Sequence, residues 1–173
     1  MAKPPKAIRG KRDLPPVSRD PVFMRRALAL SLANAGSDKG GPFGAVVVKD
    51  GRIIGEGANR VTTQRDPTAH AEIVALRDAA KRLKTHDLTG AVLYTSCEPC
   101  PMCLAAIMWA RIGRMVYSCS RADAAKAGFD DDWFYRQVAL PVDGRALKAK
   151  RMMTPQGRQA FRVWTANPNK VSY

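Results

Sequence analysis

Hydrophobic residues recur at three- and four-residue intervals in several segments of the chain, and this spacing predicts amphipathic helices. In the first segment, Asp20 is a candidate N-cap before Pro21, and a stripe of Met24, Leu28 and Leu32 follows. The predicted helices cover residues 20–36, 69–84, about 101–112, 121–137 with a break at Gly128, and 155–167.

Short apolar runs between these helices predict β-strands. Residues 43–48 and 52–54 flank the dipeptide Asp50-Gly51, and this arrangement is typical of a β-hairpin. Residues 91–95 and 114–117 are further apolar runs that each follow a predicted helix. A hairpin followed by alternating helices and strands predicts one α/β sheet with crossover helices.

Composition agrees with a globular fold, and the charge is concentrated at the two ends. The chain has 173 residues, of which 46% are hydrophobic and 25% are charged, and its formal net charge is +14. Residues 1–20 carry six basic and two acidic groups, and residues 140–173 carry seven basic groups and one acidic group. Net charges of +4 and +6 on these ends leave only +4 for the other 119 residues.

Proline residues interrupt residues 1–19, so we expect a flexible basic arm outside a single domain of residues 20–173. Such an arm is either a solvated tail or a segment that binds nucleic acid. No apolar run approaches the ~20 residues of a membrane span. The N-terminus also lacks the apolar core of a secretory signal, because five basic residues arrive before any hydrophobic run. We therefore expect a cytoplasmic protein with no membrane partner.

Three residues carry the chemistry of metal ligands. His70 and Cys100 lie at the predicted starts of two crossover helices, where ligand clefts form in α/β sheets, and Cys103 follows one turn after Cys100. The positive end of a helix favours the thiolate form of cysteine. Two sulfur ligands and one nitrogen ligand suit Zn²⁺ and leave a fourth position for water. Of the other cysteines, we expect Cys97 to be a small buried group and Cys119 to be a core residue.

Glu72 lies two residues after His70, where its carboxylate can exchange protons with a water molecule that zinc activates. His-x-Glu followed by Pro-Cys-x-x-Cys is the pattern of the zinc deaminases. Two other interpretations stay open at this point. Cys100 and Cys103 can form a redox pair, or Cys97 can complete a closed structural zinc site.

Six stretches of the sequence belong to a wider pattern: residues 41–46, Asn59 with residues 61–63, residues 66–72, residues 94–103, residues 127–131, and the terminal Tyr173. On these stretches the chain resembles the bacterial guanine deaminases of the cytidine-deaminase fold, from about Phe23 to the last residue. The first four stretches also occur, with changes, in tRNA adenosine deaminases and cytosine deaminases. The last two distinguish the guanine deaminases.

The resemblance implies a three-layer α/β/α sandwich with a five-stranded mixed sheet and one catalytic zinc ion per chain. It also implies a homodimer in which the C-terminal segments, about residues 140–173, are exchanged so that each closes the pocket of the partner.

The resemblance also implies contacts with a purine base. Asn59 would hydrogen-bond the edge of the base, Phe43 would stack on its ring, Trp109 would line the pocket, and the backbone N–H of Ala71 would contact the base. Simpler roles are also open for these side chains. The role of Asn59 can be limited to an Asx-turn at the end of a strand. Phe43 and Trp109 can be ordinary core aromatics.

Two further roles come from the resemblance. Asp131 would pass a proton to the departing amine, although it lies in an acidic run that can also be a solvated loop. Tyr173 would reach guanine from the C-terminal end, although a terminal residue can also be frayed.

The predicted reaction is the zinc-dependent hydrolytic deamination of guanine to xanthine and ammonia, a step of purine metabolism, with Glu72 and Asp131 as proton carriers. One alternative is a nucleic-acid editing deaminase that acts on tRNA adenosine, which the net charge of +14 favours. Another is a non-catalytic zinc module that binds partners through its basic ends.

Overall fold

The computed structural model describes residues 17–171, which divide into two compact units at the boundary between Tyr135 and Arg136. Most of the predicted basic arm, residues 1–16, lies outside the described residues, and so does the predicted substrate contact Tyr173. The last residues assigned to the arm, Val17–Arg19, form a 3-10 turn directly before the first helix.

The first unit contains the hairpin and the crossover helices that the sequence predicts. Its elements are α1 Asp20–Ala35, β1 Gly44–Lys49, β2 Arg52–Ala58, α2 Val61–Gln64, α3 Ala71–Leu83, β3 Val92–Cys97, α4 Pro101–Trp109, β4 Arg114–Cys119 and α5 Arg121–Lys126. Helix α6, Asp131–Ala139, crosses the boundary between the units. The second unit contains a 3-10 turn at Val142–Gly144 and helix α7, Thr154–Ala166.

Four strands form one mixed sheet in the order β2-β1-β3-β4. β1 is antiparallel to β2 and β3, whereas β3 and β4 are parallel. The mixed sheet is confirmed, but the described residues contain four strands and not the expected five. The chain after β4 forms helices, and residues 145–151 carry four basic groups without the alternating apolar pattern of a strand.

Helices cover both faces of this sheet, which confirms the three-layer arrangement. Successive residues of β1 alternate between the two faces, as in any strand. The core on the first face consists of Phe23 and Ala27 of α1 with Val46, Val48, Val92 and Tyr94. The core on the second face includes Ala71, Ala75, Leu76 and Ala79 of α3, Ile107 of α4, and Ala45, Val47 and Leu93 of the strands.

Helix α1 buries a different face from the one that its leucine spacing suggests. Phe23, Ala27 and Asn34 are its buried residues. Leu32 of the predicted stripe is 77% exposed, and Leu28 is also exposed. The leucine pattern identifies the helix correctly, but the rotation of the helix follows the aromatic ring of Phe23.

Asp20 does not act as the predicted N-cap, since it is the first residue of α1 and Arg19 precedes the helix. Its carboxylate accepts hydrogen bonds from the Tyr94 hydroxyl at 2.6 Å and from Arg114 Nη2 at 2.9 Å. The buried Tyr94 needs a partner for its hydroxyl, and Asp20 provides it. The hydrogen bond from Arg114 is the main cause that lowers the pKa of Asp20.

Within residues 17–171, none of the helices combines the length and the apolar character that crossing a membrane requires.

Helix α3 lies directly against the backbone of β2, where Gly55 and Gly57 leave space for it. A Cβ atom at Gly57 would lie 2.5 Å from the amide nitrogen of Ala75 and closer still to the carbonyl oxygen of Ala71. Backbone atoms cannot rotate away as a side chain can, so a larger residue would push α3 off the sheet. Since α3 begins beside His70, this contact also sets the position of a candidate metal ligand.

Gly57→Ala is expected to lower the free energy of unfolding by about 1–3 kcal/mol, the usual cost of overpacking a close contact. Gly157→Ala in α7 is the matched control, because a Cβ atom there would meet nothing within 4 Å. We expect this control to be neutral or stabilising, since alanine favours helix more than glycine does. Urea unfolding of both variants measures the difference. Wild-type stability of Gly57→Ala would contradict the close packing of α3 on β2.

Candidate metal centre and active site

The three predicted metal ligands lie together at the starts of α3 and α4. His70 is the N-cap residue of α3, Cys100 is the N-cap residue of α4, and both have extended backbone conformations. Cys103 lies in the first turn of α4 and is fully buried. One ligand atom from each residue lies within 4.8 Å of the others, and Cys100 Sγ is 3.7 Å from His70 Nδ1.

This donor set fits zinc. Two thiols and one imidazole are ligands that Zn²⁺ prefers, and three protein ligands leave one position for water, as in catalytic zinc sites. Cys97 is outside the cluster, although it is buried as predicted, and its thiol donates to the Ser120 carbonyl oxygen at 3.5 Å. Burial raises the pKa of Cys97 to about 11, which keeps it in the thiol form. These observations favour an open site over a closed four-ligand site.

Cys119 is exposed, so its prediction as a core residue is wrong. It ends β4, the edge strand of the sheet, whose last three residues are all exposed. An apolar run of residues predicts the strand, but it does not show that the strand lies at an edge.

Electrostatics at the helix starts favour a thiolate at Cys100. Hydrogen bonding by Cys103, and then by His70, lowers the pKa of Cys100 to about 4. The same hydrogen bond, together with burial, raises the pKa of Cys103. Hydrogen bonding with Cys100 raises the pKa of His70. Zinc binding therefore has to displace the proton of the Cys103 thiol.

Glu72 lies in the first turn of α3, beside the ligand cluster, and is 6% exposed. Its Oε1 accepts a hydrogen bond from the Thr95 hydroxyl at 3.3 Å, and its Oε2 accepts one from the Cys103 thiol at 3.6 Å. Burial raises the pKa of this carboxyl group. A buried carboxyl group with a raised pKa holds a proton more readily than an exposed one, which suits it to take up and return a proton.

A cavity of about 240 Å³ opens beside these residues. It is smaller than the roughly 300–1,000 Å³ of sites for drug-sized ligands, so it suits a single small ring system. The lining residues are Gly41, Phe43, Asn59, Val61, Thr62, His70, Glu72, Cys97, Glu98, Cys100, Phe129 and Asp131. The fold thus brings most of the predicted site residues to one cavity.

Asn59 lines this cavity with its amide group held in one orientation. Its Oδ1 accepts hydrogen bonds from the backbone N–H groups of Gly41 and Val61, both at 3.2 Å. The hydrogen bond from Val61 closes an Asx-turn. Asn59 therefore forms the turn that was considered as its simpler role and also lines the cavity. With the carbonyl oxygen used in this way, the NH₂ group remains to donate to a ligand.

Asn34 supports this wall, although the sequence did not identify it as a site residue. Its Nδ2 donates to the carbonyl oxygens of Gly41 at 2.7 Å and Asn59 at 3.1 Å, and its Oδ1 accepts from Arg60. Asn34 is 3% exposed. The signal that could have revealed it is an asparagine on the buried face of a helix, because such a group needs polar partners.

The aromatic and acidic residues of the cavity come from two distant parts of the chain. Phe43 precedes β1 and Phe129 precedes α6, and their rings meet edge to face with centroids 4.9 Å apart. Asp131 is the first residue of α6. Burial, and then the negative charge of Cys100, raise the pKa of Asp131.

Two predicted contacts are outside the cavity lining of a single chain. Trp109 ends α4 and is 64% exposed. Ala71 is buried at the start of α3, where the first N–H groups of a helix have no partner within the helix. The substrate roles of both residues stay predictions.

Residues 17–119 match the family model of the cytidine and deoxycytidylate deaminase zinc-binding region. The chain belongs to this family, and its ligand cluster and buried Glu72 fit the family's zinc-binding character. Within the family it is a homologue of guanine deaminase, since it is 46% identical to guanine deaminase from Bacillus subtilis over 152 residues, or 88% of this chain and 97% of that one.

Solved structures agree with this relationship. The X-ray structure of the Bacillus subtilis guanine deaminase has a TM-score of 0.86 at 46% identity, covering 88% of this chain and 98% of that one. A variant of the protein NE0047 in complex with 8-azaguanine has a TM-score of 0.62 at 33% identity, covering 90% and 78%. A tRNA-specific adenosine deaminase from Buchnera aphidicola is 37% identical over 135 residues, covering 78% of this chain and 85% of that one.

Cys103→Ala is expected to lose most of its bound zinc, because two remaining protein ligands hold Zn²⁺ poorly. Cys119→Ala is the matched control, since Cys119 is an exposed free thiol outside the cluster. Metal analysis after dialysis gives the zinc content of each variant, and circular dichroism checks the fold. A fully metallated Cys103→Ala variant would overturn this ligand set.

Proposed function

We propose that this protein hydrolyses guanine to xanthine and ammonia. The observation that carries the proposal is the 46% identity to a guanine deaminase along nearly the whole of both chains. The ligand cluster, the buried Glu72 and a cavity sized for one ring system support the same reaction.

In the reaction, an oxygen atom from water replaces the exocyclic amino group of the base, and the amine leaves as ammonia. Zinc held by His70, Cys100 and Cys103 would supply a Lewis acid that makes water reactive at neutral pH. Glu72 takes a proton from the attacking water and delivers it to the adjacent ring nitrogen. The second proton of the water, now on the added hydroxyl group, passes to the amine, so the carbon–nitrogen bond breaks, ammonia leaves and the carbonyl group of xanthine forms.

We propose that Asp131 is the second proton carrier and acts on the departing amine. Its position in the cavity wall and its raised pKa support this role. The NH₂ group of Asn59 would donate to an acceptor on the edge of the purine, Phe43 would stack on the ring, and the N–H of Ala71 would contact the base.

We also infer a homodimer in which the C-terminal segments, about residues 140–173, are exchanged between chains. Support comes from α7, in which no residue is buried within one chain and Phe161, Val163 and Trp164 are all exposed. An apolar helix face of this kind usually packs against another surface. In such a dimer, Tyr173 would reach the cavity of the partner, and Trp109 would line the pocket.

The four cysteines are free thiols, which suits the reducing cytoplasm, and we infer a cytoplasmic enzyme of purine metabolism.

An alternative is the deamination of adenosine in tRNA, which the net charge of +14 and the 37% identity to a tRNA-specific adenosine deaminase favour. Residues 129–134 argue against it, because acidic and bulky aromatic side chains stand where a polymer would need a basic surface. A non-catalytic zinc module would not explain why the carboxyl group of Glu72 is buried beside the ligand cluster. Ammonia release from guanine, guanosine, adenosine, cytosine and a tRNA anticodon stem-loop separates these functions.

Glu72→Gln is expected to keep fold and zinc while losing roughly 10²-fold to 10⁴-fold or more of kcat, because an amide cannot accept and return a proton. Glu56→Gln is the matched control, since Glu56 forms an ion pair with Arg26 at 2.6 Å on the surface. Steady-state ammonia release with guanine measures both variants. Retention of a tenth of wild-type kcat by Glu72→Gln would refute its role as proton carrier.

Deletion of Tyr173 is expected to reduce guanine deamination strongly while leaving zinc content and dimerisation intact. The reason is that a phenol closing the cavity would both orient the base and exclude water. Deletion of residues 1–16 is the control, and we expect it to keep full activity on the free base and to weaken only salt-sensitive binding of nucleic acid. Wild-type kinetics after deletion of Tyr173 would exclude the closing role and favour a polymer substrate.

A further inference from the structure

Asp131 and Tyr135 lie one turn apart on α6, so their side chains share one face of the helix. Asp131 lines the cavity, and its proposed role requires its carboxylate to meet the leaving amine at a defined distance. Whatever fixes the start of α6 therefore also fixes this carboxylate.

The Tyr135 hydroxyl links α6 to the metal-ligand loop. It donates a hydrogen bond to the carbonyl oxygen of Pro99 at 2.8 Å. Pro99 is fully buried and directly precedes Cys100, so the acceptor belongs to a rigid part of the site. This bond joins the helix that carries Asp131 to the backbone that carries a zinc ligand.

The ring of Tyr135 also lies against the guanidinium group of Arg121. The guanidinium group lies 4.7 Å from the ring centroid, and Arg121 Nε is 3.8 Å from Asp132 Oδ1. The backbone N–H of Arg121 donates to Glu98 Oε2 at 3.1 Å, and Glu98 also lines the cavity. Tyr135 thus contacts both the segment before Cys100 and the first residue of α5.

None of the residues of α6 is fully buried, so the Tyr135 hydrogen bond and the Arg121–Asp132 ion pair contribute to holding this helix in place. A helix without buried side chains depends on specific polar contacts for its position. The hydroxyl of Tyr135 provides such a contact on the same face as Asp131.

We propose that Tyr135 is a positioning residue that holds the Asp131 carboxylate at the distance required for proton delivery to the amine. This inference rests on the proposed function of Asp131. Tyr135 itself does not line the cavity, so it acts through the helix and not through contact with the base.

The test uses Tyr135→Phe in the zinc-loaded enzyme, because phenylalanine keeps the ring over Arg121 and removes only the hydroxyl. We expect kcat to fall ~10-fold to 100-fold, as displacement of a reacting group by about 1 Å can cause. KM for guanine and the zinc content are expected to stay at the wild-type values. Tyr117→Phe is the matched control, since it removes an exposed phenol from β4.

A double-mutant cycle with Asp131→Asn then separates positioning from general stability. Single-turnover measurements with enzyme in excess over guanine resolve the slow rates in the wild-type and Asp131→Asn backgrounds. If Tyr135 acts through Asp131, Tyr135→Phe causes no further loss in the Asp131→Asn background. We expect the wild-type enzyme and Tyr135→Phe to lose zinc to a chelator at the same rate.

Three results for Tyr135→Phe would overturn the proposal: an undiminished kcat, an equal loss of rate in the wild-type and Asp131→Asn backgrounds, or faster zinc loss with a lower melting temperature. The last two would assign Tyr135 to the metal loop or to folding. Full activity of Asp131→Asn would instead remove Asp131 from the proposed mechanism, and with it this role of Tyr135. Absence of guanine turnover by the wild-type enzyme would refute the function itself.

Discussion

The site depends on one geometric constraint, which is that α3 and α4 begin side by side against the sheet. His70 and Cys100 are the residues immediately before these helices, so their ligand atoms converge only if both helix starts are fixed. The glycines of β2 fix α3 by letting its backbone touch the strand. The first turn of α3 also carries Glu72, so the proposed proton carrier and a candidate metal ligand share one rigid element.

The parts of the fold and site that follow from local chemistry could be predicted. Helix starts before Pro21 and Pro101, the hairpin around Asp50-Gly51, and the ligand set are encoded by neighbouring residues. The convergence of His70 with Cys100 could also be predicted, because right-handed crossovers bring successive helix starts to one sheet edge.

The parts that depend on which surfaces meet could not be predicted from local patterns. Leucine spacing placed the buried face of α1 incorrectly, since Phe23 packing against Tyr94 sets the rotation of the helix. Cys119 resembled a core residue because strand order is not visible in the sequence. The roles of Asn34 and Tyr135 could not be predicted because both donate to backbone carbonyl oxygens outside their own helices, and a carbonyl group is present at every position.

Because the ion pair of Asp20 lies on one face of the sheet and the metal ligands on the other, acid and a metal chelator are expected to act on different faces. Because the pKa of Asp20 is lowered in the folded state, the unfolded chain takes up its proton first as the pH falls. The stability from this contact is thus complete above the ordinary pKa of aspartate and is lost in acid below it. Acid therefore weakens the attachment of α1, whereas a chelator at neutral pH acts on the opposite face, where α3 and α4 carry the metal ligands.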